Sequence, residues 1–367
     1  MFEHDGRAGV STSIRVGEEV FTIGYAVSGC PIAEAADGWL AATLIPAMWA
    51  GGPLRLTGSV SPRLYEASAT IQDILHAWNP QFARVTVEAE PRHSLSPLGG
   101  DVGCFFSGGV DSWYTLLKHR HEITALIAID GYDIFTDERR QRWQPTLRAI
   151  AKTLQLPLIE VRTNLRAFSD RYALWPRYYN GAALASVALL LSARFRKVYV
   201  PSTHDYADLF PEGSHPLLDP LWSTEQVELV HDGCEATRFE KIERLLESDL
   251  ADLTLAHLQV CNKGWERSYN CGVCGKCLRT MVSLRLLGAL DRCPTFDRPL
   301  DLAKVARSNG AAAAVRCYIE ENLQAAQRLG ADAALIEALR CSVDGVYRRG
   351  PRGWPRRAVN RLLGRLR

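Results

Sequence analysis

The sequence predicts an α/β protein built on a parallel sheet, preceded by a strand-rich α+β domain and followed by a helical extension. Three observations carry that expectation. Short apolar runs alternate with helical segments between residues 101 and 201. A glycine pair, Gly108-Gly109, follows the first of these runs directly. Beyond Leu300 the chain turns alanine-rich and helical in pattern.

The first expected domain covers residues 1–97. Residues 14–27 alternate in strand fashion around Gly17-Glu18-Glu19, a hairpin turn. Residues 54–57 and 82–89 also read as strands, with a helix over Pro62–Trp78 between them. The stretch 91–100 mixes Ser, Pro and Gly in the manner of a linker. In the second expected domain, 98–300, strands are placed at 102–106, 123–129, 157–161 and 197–201. Helices run from the glycine pair to Leu117, over Asp137–Leu154 and over 180–195. Sheets of this kind bind ligands at the carboxyl ends of their strands. Residues 301–347 form the helical extension, with helices near 311–329 and 331–343. In the last segment, 348–367, glycines and prolines oppose regular structure at first, and 358–366 reads as a short basic helix.

The chain has 367 residues, 47% of them hydrophobic and 23% charged, the balance of a globular protein. Its formal charge of +2 conceals eight arginines between Arg348 and Arg367, so the remaining body is mildly acidic. A nucleic-acid or anionic-membrane contact through that tail is therefore not favoured over a solvated terminus. The longest apolar run, Ala182 to Ala193, is too short to cross a bilayer and is closed by Arg194 and Arg196. No secretory pattern is visible, and a cytoplasmic location is expected. A homodimer is compatible with this composition. Ten cysteines do not imply disulfides in a chain of this size, and four of them fall between Cys261 and Cys277.

The hexapeptide Ser107-Gly108-Gly109-Val110-Asp111-Ser112 joins an expected strand to an expected helix. Glycines let the backbone turn tightly, and the amides of Gly108, Gly109 and Val110 can face an anion at the positive end of the helix. Ser107 and Ser112 add hydroxyl donors, while Asp111 suits capping or a phosphate-bound magnesium ion. No Gly-Lys-Ser/Thr follows, so this is not a Walker loop. A structural tight turn is the alternative.

Cys271-Gly-Val-Cys274-Gly-Lys-Cys277, with Cys261 ten residues earlier, can wrap one soft cation. Zinc is preferred to an iron–sulfur cluster, because Met281 stands where a ferredoxin-like run has its next cysteine. Cys293-Pro294 leaves the cluster version open.

The hexapeptide resembles the signature of the PP-loop ATP pyrophosphatase superfamily, whose sheet is of the HUP, Rossmann-like type. With the cysteine motif and Leu278-Arg279, the chain is similar to the 7-cyano-7-deazaguanine synthase family over about residues 101–288. Pro176-Arg177, Asn180 and Asp205-Tyr206 fit more loosely. The resemblance implies that ATP is cleaved between its α- and β-phosphates, with pyrophosphate held by the loop. AMP would pass to a carboxylate or carbonyl oxygen of a small-molecule or peptide acceptor, which ammonia or an amine then displaces.

ATP, magnesium and structural zinc are the implied cofactors. Ser107, Asp111 and Arg177 are the implied catalytic residues, with Asp130, at a strand end, near adenine. His204 and Asp205 are candidates for the acceptor, and His215, Asp219 and Arg238 for a covering segment. Asp130 as a turn former, Arg177 as a solvated arginine and His204 as an idle loop residue remain open. Trp113 and Trp143 are read as packing residues.

Ser202-Thr203-His204 departs from that family's pattern and puts its usual substrate in doubt. A sulfur-inserting enzyme using Cys234, acting on tRNA or a small molecule, is one alternative. A non-catalytic nucleotide-binding or defence-associated protein is another.

Overall fold

The computed structural model describes residues 7–33, 36–93, 99–132, 137–173, 175–261, 269–308 and 313–345. The expected basic helix at 358–366 lies outside them. The chain begins with β1 (Ala8–Val16), β2 (Glu19–Ser28), α1 (Asp37–Ala50), β3 (Leu54–Val60), α2 (Pro62–Trp78) and β4 (Val87–Pro91). It continues with β5 (Asp101–Phe105), α3 (Val110–Lys118), β6 (Ala125–Asp130), α4 (Asp137–Leu154), β7 (Leu158–Thr163), α5 (Leu165–Ser169), α6 (Asn180–Leu190), β8 (Phe195–Pro201) and β9 (Glu228–Asp232). The remainder is helical: α7 (Arg238–Leu246), α8 (Ala251–His257), α9 (Gly275–Leu286), α10 (Leu302–Arg307), α11 (Ala313–Arg328) and α12 (Ala333–Asp344).

The protein is α/β, with a mostly parallel seven-stranded sheet in the order β1-β2-β7-β6-β5-β8-β9 and twelve α-helices among the described residues. Strands β5 to β9 pair in parallel, whereas β2 runs antiparallel to both β1 and β7. From β5 the chain first builds β6 and β7 on one side, then returns to place β8 and β9 on the other. The carboxyl end of β5 is thus the topological switch point of the sheet, where such folds bind ligands.

The contacts divide the chain into two compact units that exchange segments at five points, 107/108, 117/118, 202/203, 208/209 and 233/234. Unit 1 comprises Met1–Ser107, Lys118–Ser202 and Leu209–Gly233, and unit 2 comprises Gly108–Leu117, Thr203–Asp208 and Cys234–Arg367. The hairpin β1–β2 extends the main sheet through residues 25–28 of β2, paired with residues 160–163 of β7. A separate two-stranded parallel sheet, β3–β4, lies in the same unit.

The core of unit 1 is apolar and continuous, with Tyr25, Leu40, Leu44, Ile71, Ile127, Tyr179, Val187, Phe195 and Trp222 among its members. Helix α6 is apolar on nearly every face, and a helix of that kind folds only where it is buried on nearly every side. Helix α1, not anticipated from the sequence, packs on it. A Cβ at Gly38 would lie 2.7 Å from Leu190 Cγ and 3.0 Å from the Ser186 carbonyl oxygen, so the glycine sets how closely α1 approaches. Pro46 lies inside α1 and cannot donate to the carbonyl of Ala42. The hydroxyl of Tyr179 donates to that carbonyl instead. A helix interrupted by proline is kept intact by a hydrogen bond from elsewhere in the unit.

Three further differences from the sequence reading have local causes. Strand β4 begins at Val87, because Phe82 turns back to Asn79 and is buried. Helix α6 stops at Leu190, since Phe195 is already buried in β8 and Arg194 bonds Asp101 at 2.7 Å. Strand β9, which the reading lacked, pairs with β8.

Unit 2 is helical. Leu278 and Val282 of α9, Val305 of α10, Ile319 and Ala326 of α11, and Leu335 and Leu339 of α12 form its apolar cluster. A capping box between Thr237 and Glu240 starts α7, and Asp301 and Asp332 cap α10 and α12.

Candidate functional site

The chain leaves β5 through Phe106 and the exposed Ser107, then enters unit 2 at Gly108. Gly108 has φ 79°, a left-handed conformation that a side chain would strain. The carbonyl of Gly109 accepts bonds from the Trp113 amide and the Ser112 hydroxyl, both at 3.0 Å. Ser112 therefore braces the loop. The Gln259 amide donates to the Gly108 carbonyl at 2.9 Å, which ties the segment just before Cys261 to the same loop.

Asp111 lies in the first turn of α3, where a carboxylate is favoured by the helix dipole. Arg238 Nη1 donates to its Oδ2 at 2.8 Å, and Lys241 Nζ lies 3.6 Å from its Oδ1. The two cations stand three residues apart on α7, hence on one face of that helix. Both are deeply buried, with side-chain exposures of 5% and 1%. Burial alone would raise the Asp111 pKa, but Arg238 and then Lys241 outweigh it and hold the carboxyl below its usual range.

A third cation, Arg279 on α9, stacks over the ring of Tyr318 at 3.7 Å. Burial, followed by the nearby charge of Arg238, lowers its pKa to about 10. His204 is buried, and the Tyr318 hydroxyl lies 3.2 Å from each of its ring nitrogens. Burial pushes His204 down to about 4, against the pull of Asp111. It is a neutral imidazole at pH 7. Asp205 accepts bonds from the amides of Ala207 and Asp208 at 2.8 and 3.2 Å and forms a local turn.

The four cysteines meet. The thiol sulfurs of Cys261, Cys271, Cys274 and Cys277 all lie within 4.8 Å of one another and could hold a metal ion. Two of the separations are 3.8 Å (Cys271 to Cys277) and 4.0 Å (Cys261 to Cys274). Tetrahedral zinc–thiolate bonds of about 2.3 Å place sulfurs about 3.8 Å apart, so the set is compatible with structural zinc. Cys293 stands apart, with its thiol directed at the Leu255 carbonyl and Thr295.

Thiol hydrogen bonds, first from Cys261, pull Cys274 far toward the thiolate and push Cys277 the other way, as expected of four groups that cannot ionise independently. Asn270, fully buried, organises the site. Its Oδ1 accepts from the amides of Val260 and Cys261, and its Nδ2 donates to the Leu258 carbonyl and to Thr295 Oγ1.

Unit 2 thus gathers Gly108 to Ser112, His204, Asp205, Arg238 and the four cysteines from the sequence candidates. Ser107, Asp130, Arg177, His215 and Asp219 belong to unit 1 and have partners there. The Ser107 carbonyl accepts from Trp143 Nε1 at 3.2 Å. Asp130 is held by Arg140, with Arg162 at 3.9 Å. The Arg177 guanidinium lies 5.3 Å from the Phe210 ring and 5.7 Å from that of Tyr178. Asp219 bonds His231 Nδ1 and Ser214, both at 2.7 Å, and His215 accepts from the Leu217 amide. Cys234 is buried.

The sequence reading gave no role in the site to Lys241, Asn270, Tyr318 or Glu321. The three-residue spacing of Arg238 and Lys241 after a capping box was the one signal available. No protein-family model matches this chain, and neither a curated protein nor a solved structure matches it.

Proposed function

We propose that this chain is an ATP-dependent, AMP- and pyrophosphate-forming ligase of the PP-loop type, acting on a carboxylate or carbonyl oxygen of a small molecule or peptide. The observation that carries this reading is an imbalance of buried charge. Three cations, Arg238, Lys241 and Arg279, converge around Asp111 beside a loop whose glycine backbone can approach a ligand. Buried charges are costly unless matched, so a surplus of cations suits a polyanionic ligand. The amides at the start of α3 add donors suited to phosphate oxygens.

On this reading Arg238, Lys241 and Arg279 take up the charge that develops on pyrophosphate as it leaves the α-phosphorus. The acceptor oxygen forms the new bond to that phosphorus, and the α–β bridging bond breaks. Ammonia or an amine then attacks the acceptor carbon and releases AMP, giving an amide.

Burial holds His204 near pKa 4 and opposes its taking up a proton, so no general base is assigned. Asp111, already flanked by two cations, is a poor ligand for magnesium, and no protein ligand is assigned to that ion. Zinc bound by the four thiolates would supply folding energy and hold the loop through Gln259. Burial of Cys234 supports the nitrogen nucleophile over a sulfur-inserting version.

The test is incubation of the full chain with α-labelled ATP and a panel of carboxylate acceptors, with ammonia present. Expected is AMP release by the wild type, reduced at least about a hundredfold in Asp111→Ala and in Ser107→Ala. Nucleotide binding with no AMP from any acceptor would favour a non-catalytic nucleotide-binding protein and end the ligase reading.

A further inference from the structure

Helix α11 belongs to the segment that the sequence presents as an extension beyond the enzyme-like region, yet it carries side chains that join the cation cluster. Tyr318 is 4% exposed. Its ring contacts the Arg279 guanidinium, its hydroxyl donates to the Thr203 carbonyl at 3.1 Å, and it lies against His204. One turn on, Asn322 donates to the carbonyls of Arg279 and Tyr318 and accepts from Ser283 Oγ, which locks α11 to α9.

Two donors in this cluster lack acceptors. Arg279 makes no ion pair among the described residues, and its Nε is buried without a hydrogen-bond partner. Arg238 Nε is buried in the same condition. A buried guanidinium N–H without an acceptor is costly, and such groups call for an explanation. Packing alone does not supply one, since an aliphatic side chain at 279 would fill the same place against Tyr318 without an orphaned donor. The aromatic face helps to keep a charged group here, where Asp111 and Glu321 act on it without forming an ion pair among the described residues. The orphaned donors account for what it is kept for.

We infer that Tyr318 is a positioning residue for the polyphosphate site, its ring holding the Arg279 guanidinium so that its unsatisfied Nε–H binds a phosphate oxygen. Arg279 Nε stays without an acceptor until the anion arrives, and Asn322 keeps the helix that bears the ring in register. The helical extension is then part of the binding site.

This inference rests on the polyphosphate reading. The test measures the affinity of the full-length protein for inorganic pyrophosphate and for ATP by calorimetry. The variants are Tyr318→Phe, Tyr318→Leu and Arg279→Ala, alone and combined. Tyr318→Phe keeps the ring and should bind within about threefold of wild type. Tyr318→Leu keeps much of the bulk but not the π face, and should weaken pyrophosphate binding about tenfold. In the Arg279→Ala background that same change should have no further effect, since Tyr318 acts through Arg279.

Equal affinities for the Phe and Leu variants would overturn the inference, as would full additivity with Arg279→Ala. Should Tyr318→Leu fail to fold, Tyr318→Phe and Arg279→Lys decide it: a tenfold loss with Phe, or no loss with Lys, overturns it. If the wild type itself binds neither pyrophosphate nor ATP, the polyphosphate reading fails first, and the outcome is distinct from those above.

Discussion

The two units bury charge in different ways. In unit 1 buried ionic groups come matched: Asp37 with Arg92, Asp130 with Arg140, and Asp219 with His231. Some polar groups there are absorbed locally, as when the Tyr25 hydroxyl meets Ser186 at 2.8 Å and Tyr132 donates to the Ala183 carbonyl at 2.6 Å. In unit 2 Asp111 faces Arg238 and Lys241, while Arg279 rests on an aromatic ring. A matched pair serves the fold. An unmatched group is retained against its cost, and in unit 2 the orphaned Nε atoms of Arg238 and Arg279 lie in the cluster around Asp111.

The contrast would be broken most severely by removing a metal ion held by the four cysteines. Four thiolates closing on zinc can contribute on the order of 10 kcal/mol to folding, more than a helical cluster of this size readily spares. Chelation, or Cys274→Ser, should remove or strongly lower the melting transition of unit 2 while unit 1, with its continuous apolar core, keeps its own. Metal analysis should return one zinc and no iron per chain. Calorimetry that shows no change after the zinc has been stripped would remove the site's structural role.

A paired substitution sharpens the contrast next. Arg92→Met leaves Asp37 buried without its cation and should cost about 3–5 kcal/mol of stability. The affinity of the chain for pyrophosphate should not change. Arg238→Met should do the reverse: Lys241 still faces Asp111, so stability falls less, but pyrophosphate binding should weaken about a hundredfold. Denaturant titration and calorimetry read the two quantities separately. Similar effects of both substitutions on both quantities would dissolve the distinction between the units.

How much of this was legible in the sequence follows from the range of the interactions. Helices α2 and α4 are legible because their signals are local, Pro62 after Ser61 for one and a long polar–apolar period for the other. The glycine loop and the cysteine cluster were legible for the same reason. Helix α1 was not, since an apolar segment with a proline inside has no helical period, and its rescue comes from Tyr179, more than a hundred residues away. That the β1–β2 hairpin joins the main sheet depends on pairing with β7, which no local pattern announces. Tyr318 and Glu321 sit in an ordinary helical pattern, and only tertiary packing turns them toward Asp111 and its cations.

The smallest expected effect concerns Glu321, the carboxylate that unit 2 adds to its cation cluster. Its Oε2 accepts from the Phe239 amide at 3.3 Å, and Arg238, Arg279 and Asp205 are the charges that act on it. Burial raises its pKa from 4.5 to about 7, and the amide and the two arginines only partly reverse this. A carboxyl raised in the folded state favours folding when protonated. Its contribution is fully present below pH 4.5 and is lost as pH rises through about 7.

His204, lowered from 6.5 to about 4, makes stability rise with pH between those values, a contribution that wild type and Glu321→Gln share and that their difference cancels. Glu321→Gln, which fixes the uncharged form, should therefore stabilise the protein at pH 8 and leave it nearly unchanged at pH 5. The same change should tighten pyrophosphate binding about threefold at pH 8, because the ionised carboxylate competes with the anion for Arg238 and Arg279. Comparing variant with wild type at each pH cancels the titration of pyrophosphate itself. A difference between them that is flat from pH 5 to 8 would remove Glu321 from the site and leave the three cations opposed by Asp111 alone.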